Sequence, residues 1–303
     1  MGFKAVAVSI PLSMMAYAAG YRHSMQKGFQ SAGTASYPFS RIRRAWTLIL
    51  RKTVLREPIE RAFFHFVAET AFRRQEHALY WGSFVMVGIA LVYSGIYAIR
   101  SGSILGTAQF NVLLSFALIM SFFILVGLRF VFSVPADLNA NWVFRLVDKQ
   151  QREAAYGGAH KYMLCAVVIP LLIVLTPCYL MFWSPQVVVL HAAYVITLSL
   201  ILIELLLARY KKLPFACSYI PGNANLRLLW PAYVAGCIAY SYETTVLERW
   251  ALQDIRRYSV VIVLAALVFV GLRRFRILLV KRMNEIRFEE EPADERTILS
   301  IEQ

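Results

Sequence analysis

Two ionisable residues stand inside long apolar runs of this chain, Arg129 and Glu204, and both are placed where chemistry in a membrane would need them. A charge in hydrocarbon is costly, so such a residue is kept for a partner, for an ion or substrate route, or for carrying a proton. Arg129 lies about five residues before the end of one run and Glu204 about five before Arg209, which puts both about 7–8 Å below the same surface at helical rise. The spacing predicts that they pair. Two structural readings compete with a transport role: Arg129 can snorkel to the headgroups, and a buried pair can simply fix helix register.

Further polar residues share faces with these two. His191, Tyr194, Thr197 and Glu204 fall within an arc of about 140° on one helix, and Asn111, Ser115 and Arg129 share a face on another. Such stripes should look into a bundle interior or a watery cavity, although interhelical hydrogen bonds explain them without any substrate. His191 stands alone, so it is expected as a satisfied polar residue, and no metal or other cofactor is expected. Pro170 and Pro177 fall on nearly one face of a third run, where each removes a backbone donor and can bend a helix.

Recognisable catalytic patterns are absent. The sequence holds no GxxxxGK[ST], HExxH, GxSxG or CxxCH, so no catalytic or cofactor-binding residue is assigned and the chain is not expected to be an enzyme. Any ATP-driven role needs a separate ATPase chain. Cys165, Cys178, Cys217 and Cys237 form no CxxC, and three of them lie in apolar runs as small hydrophobes.

The elements that must position these residues follow from composition. Of 303 residues 59% are hydrophobic and only 17% charged, whereas soluble domains carry about a quarter charged. The net charge of +14 comes from basic residues flanking apolar runs. That arrangement suits an anionic lipid surface, not a nucleic acid. Six runs are long enough to span about 30 Å of hydrocarbon: Ala78–Ile99, Ala108–Val134, Tyr162–Trp183, Gln186–Ala208, Leu228–Tyr242 and Tyr258–Val280. The last is interrupted by Arg273, Arg274 and Arg276. The predicted fold is all-α, a polytopic transmembrane bundle of six spans with cytoplasmic amphipathic helices.

Orientation follows from lysine and arginine. The segments on one side of the six spans hold 26 of them and those on the other hold 4, so both flanks, the C-terminus included, are expected in the cytoplasm. Phe3–Gly20 is a seventh span with an external N-terminus, a signal peptide, or the remnant of an earlier span in a longer protein. Signal cleavage would leave the eleven positive charges of Tyr21–His77 outside, against that rule. Residues 1–77, 78–280 and 281–303 are thus expected as a basic N-terminal region, the membrane domain and an acidic tail.

Ile42, Ala45, Trp46, Ile49 and Thr53 recur at helical spacing among basic residues, and Ile59, Phe63, Phe66 and Val67 do so after Pro58. Both patterns predict helices lying in the membrane interface or docking a partner. Leu138, Trp142, Val143, Leu146 and Val147 give the next basic loop one apolar side, and Gly157-Gly158 is expected as a turn. The uncharged stretch Leu213–Asn225 is expected to fold back on the bundle. Seven of the eighteen acidic residues lie between Glu285 and Glu302, which suits a solvated end or a basic partner.

At FSVPADLNANWVFRL (Phe132–Leu146) and KLPFACSYIPG (Lys212–Gly222) the chain resembles poorly characterised multi-spanning bacterial membrane proteins, some of them treated as permease-like. The resemblance runs from about Pro58 to the tail. It implies a bacterial inner-membrane location and a transport-related role, and it carries no assigned residues. The leading expectation is a permease-like subunit working with a separate ATPase or other membrane subunit. A membrane scaffold or assembly factor is the alternative, and a membrane-embedded enzyme using Glu204 or His191 comes third.

Overall fold

The computed structural model describes residues 49–50, 53–55, 57–71, 75–134, 151–208, 215 and 226–282. The chain divides into two compact units, Met1–Leu50 and Arg51–Gln303. Of the first unit only Ile49 and Leu50 are described, both helical. Phe3–Gly20, most of the first amphipathic pattern, the apolar positions Leu138–Val147 and the acidic tail lie outside the described residues.

In the second unit every regular element among the described residues is a helix. In chain order these are α1 (Pro58–Thr70), α2 (Gln75–Arg100), α3 (Thr107–Val131), α4 (Gln151–Tyr162), a π-helical segment (Met163–Val168), α5 (Ile169–Leu180), α6 (Pro185–Ala208), α7 (Leu226–Leu252) and α8 (Ile255–Arg282). Pro58 opens α1, where a missing N–H costs nothing, and Glu60 lies in the first turn beside the positive helix end. The helix buries Phe64, Val67 and Thr70; of the apolar positions expected after Pro58, Val67 is buried and Ile59, Phe63 and Phe66 are half-buried.

Gly102 and Gly106 have positive φ (71° and 61°) and make the reversal that returns α3 along α2. The two helices approach closely because Gly127 has no side chain: a Cβ there would sit 2.7 Å from Phe84 Cβ. Central in the bundle, α3 is buried without a break from Ser121 to Leu128 and packs on α2, α5, α6 and α7.

α4, the π-helical segment and α5 form one continuous rod from Gln151 to Leu180. The Ile169 N–H bonds to Leu164 O, five residues back, so the wider turn falls immediately before Pro170. Pro170 offers no N–H, and its ring would crowd the carbonyl four residues earlier; a π turn absorbs both. Pro177 lies inside α5.

Gly157 and Gly158 are in α4 and do not make the expected turn. A Cβ at Gly158 would meet Glu60 O at 2.6 Å and Phe63 Cβ at 2.8 Å. Their smallness lets α1 and α4 cross almost backbone to backbone, which overrides their turn preference. Phe215, the one described residue of Leu213–Asn225, is buried: its N–H bonds to Phe132 O at 2.9 Å and its ring meets Phe66, His77 and Phe132. At that residue the stretch does fold back on the bundle.

Among the described residues, four helices are long and apolar enough to cross a membrane: α2, α3, the rod from Glu153 to Leu180, and α6. α7 and α8, expected as the fifth and sixth spans, are not among them. Charge limits their apolar length, through Glu243, Glu248 and Arg249 in one and Arg256, Arg257, Arg273, Arg274 and Arg276 in the other. The expected external loop Ser241–Arg257 is helical over most of its length. α7 continues to Leu252, and only Gln253 and Asp254 separate it from α8.

Candidate functional site

The polar stripe of α6 is real but carries two centres, not one. His191 and Glu204 are both buried, and the helical rise between them is about 20 Å. Each meets an ionisable partner from a different helix.

At the Glu204 end, Arg276 of α8 donates from Nε to Oε2 at 2.5 Å and from Nη2 to Oε1 at 3.4 Å. His160 of α4 brings Nε2 to 3.4 Å from Oε1, near enough for electrostatic contact but outside hydrogen-bond geometry. Three helices therefore meet on one carboxylate. With the imidazole neutral, glutamate and guanidinium balance, and the forked donor suits the carboxylate plane.

The predicted Arg129–Glu204 pair is not formed. Arg129 Nε instead donates to Leu206 O at 3.0 Å. Leu206 lies in the last turn of α6, whose carbonyls have no helical partner and carry the negative end of the helix dipole. A cation at the right depth thus finds a backbone acceptor, while Glu204 turns to α8.

At the other end, His191 Nδ1 and Glu248 Oε1 of α7 lie 2.7 Å apart, with both side chains buried. Tyr179 and Trp183 wall the imidazole edge to face, at centroid distances of 4.9 and 5.8 Å, and stack on each other at 5.1 Å. The Tyr179 hydroxyl accepts from the Ala117 N–H and donates to Leu113 O, so it joins the rod to α3. Tyr194 donates to Thr244 O at 2.8 Å and Tyr258 to Leu190 O at 2.7 Å. Beside them Tyr194, Ala251, Tyr258 and Val261 make the packed seam of α6, α7 and α8.

The remaining expected residues do not join either centre. Thr197 donates to Ala193 O and Ser115 to Val112 O, each within its own helix. Asn111 Oδ1 accepts from Arg249 Nη1 at 3.5 Å, so Asn111, Ser115 and Arg129 share a helix face but no site. Among the described residues no three His, Cys, Asp or Glu side chains are placed to hold a metal ion.

Arg276, His160 and Glu248 were missed as site residues, yet two left a signal. Tyr258, Ile262, Ala265, Phe269, Leu272 and Arg276 recur at alternating spacings of four and three, and this stripe is the inward face of α8, with Arg273 and Arg274 exposed. Cys237, Ser241, Thr245, Glu248 and Ala251 mark the buried face of α7 in the same way. His160 left none, because the segment around it reads as a polar turn. No known protein family, curated protein or solved structure matches the chain.

Proposed function

We propose that this chain is a permease-like subunit of a bacterial inner-membrane transport system, carrying six spans and driven by a separate ATP-binding chain. One observation carries the reading: adjacent residues of a single rod touch a surface helix and a buried ion pair. Lys161 bonds to Glu60 of α1 and, at 3.0 Å, to Val54 O. His160 stands 3.4 Å from Glu204. A push on α1 by an energising subunit would move the rod, and with it the contacts of the Glu204–Arg276 pair.

Two features support the membrane arrangement. Val260, Val263, Leu264, Leu267, Val268 and Val270 of α8 are all exposed, as lipid-facing residues of a spanning helix would be. The 26-to-4 division of basic residues favours a cytoplasmic α1, α4 and C-terminus. Purification of the tagged full chain from native membranes in mild detergent tests the proposal. An ATP-hydrolysing chain should accompany it; a stable complex with no energising chain overturns this reading in favour of the scaffold.

A further inference from the structure

The two centres on α6 differ in charge balance. Glu204 has a permanent cation in Arg276. Glu248 has none: among the described residues its ionic partner is His191 alone. Its chain neighbour Arg249 reaches away to Asn111. The phenols of Tyr179, Tyr194, Tyr240 and Tyr258 lie within electrostatic range of Glu248, and none of them brings a positive charge.

A glutamate and a neutral imidazole buried together carry one uncompensated negative charge, which a low-dielectric interior disfavours. One proton cancels it. The site also has unused hydrogen-bonding capacity: His191 Nε2, Glu248 Oε2, Thr245 Oγ1 and Tyr240 Oη are buried without a partner among the described residues. Thr245 lies one turn before Glu248 on the same buried face of α7.

We infer that His191 and Glu248 form a buried proton-binding site that holds one proton on the Glu248 carboxyl, donated in a hydrogen bond to His191 Nδ1. The neutral O–H···N form avoids burying two separated charges where, among the described residues, no further donor or acceptor bonds to them. The ligand class is a proton. The inference goes beyond the transport reading and does not rest on it, since a scaffold could carry the same site.

The test is dicyclohexylcarbodiimide labelling of the full-length protein in liposomes over a pH series, with the label located by peptide mass spectrometry. A protonated carboxyl in apolar surroundings adds to this reagent, its oxygen bonding the central carbodiimide carbon and its proton passing to a nitrogen. Glu248 should be labelled at low pH, the label should fall about tenfold per pH unit above its midpoint, and Glu204 should stay unlabelled. H191Q should carry the fall to lower pH, because the imidazole nitrogen that accepts from the protonated carboxyl is gone. Infrared spectroscopy of the unlabelled protein checks reagent access through a carboxylic C=O stretch that E248Q removes. Absence of both the label and that band overturns the site. A pH dependence unchanged in H191Q overturns the pairing with His191.

Discussion

Glu204 and Arg276, 72 positions apart in the chain, meet at 2.5 Å between Oε2 and Nε. Glu204 has no exposed side-chain surface and Arg276 only 5%. Since each charge is out of water, each depends on the other, and the contact ties α8 to α6 near the crossing of α4. Removal of one partner is therefore worse than removal of both.

Arg276→Met should destabilise the protein by about 3–5 kcal/mol, the cost of leaving a buried carboxylate unpaired. The double variant E204Q/R276M should lose less than R276M alone. Unfolding of the four members of this cycle in detergent measures the coupling. Additive losses would show that the two side chains do not depend on each other.

The crossing of α1 and α4 gives a second expectation. Gly158→Ala drives a Cβ against Glu60 O, Phe63 Cβ and Phe64 N at 2.6, 2.8 and 3.1 Å, and the backbone atoms cannot step aside. Gly157→Ala meets first the Glu60 carboxylate oxygen, the far end of a flexible side chain. The first change should cost about 1–3 kcal/mol and raise hydrogen exchange across α1. The second should cost less, and equal effects would contradict the crossing.

A parallel contrast tests the α2–α3 contact. Gly127→Ala places a Cβ 2.7 Å from Phe84 Cβ, while Gly236→Ala in α7 meets nothing within 4 Å. Gly127→Ala should destabilise by about 1–3 kcal/mol, whereas Gly236→Ala should be neutral or gain up to about 1 kcal/mol from helix propensity. Thermal unfolding of the two variants side by side measures the difference.

The place of α8 in the bilayer can be read from insertion. Leu267 is 62% exposed at the middle of that helix. Leu267→Lys should cost about 3 kcal/mol of insertion free energy, scored by glycosylation of reporter sites flanking α8. Lys at Arg274, near the helix end, should be tolerated. Indifference to Leu267→Lys would remove α8 from the membrane.

Several features were legible before any coordinates. The amphipathic pattern Ile59–Val67 became α1, and the stripe on α6 does face inward except at Thr197. Other features were misread for definite reasons. The polar residues of Ser241–Arg257 suggested a loop, but most of them occupy a helix whose buried face accepts Glu248 because His191 is there to bond it. The pair Gly157-Gly158 signals a turn by local preference, and the tight approach of α1 that overrides it is a tertiary event.

Helical class, apolar runs, basic flanks and the shared stripe of His191, Tyr194 and Glu204 were determined by the sequence alone. Hydrophobicity, helical period and charge are properties of neighbouring residues. Which cation answers Glu204, and that Glu248 answers His191, only the tertiary structure decided. Depth along a helix is counted from the chain, whereas the partner depends on how helices rotate and cross. At one depth Arg129 took a helix-end carbonyl and left the carboxylate to Arg276.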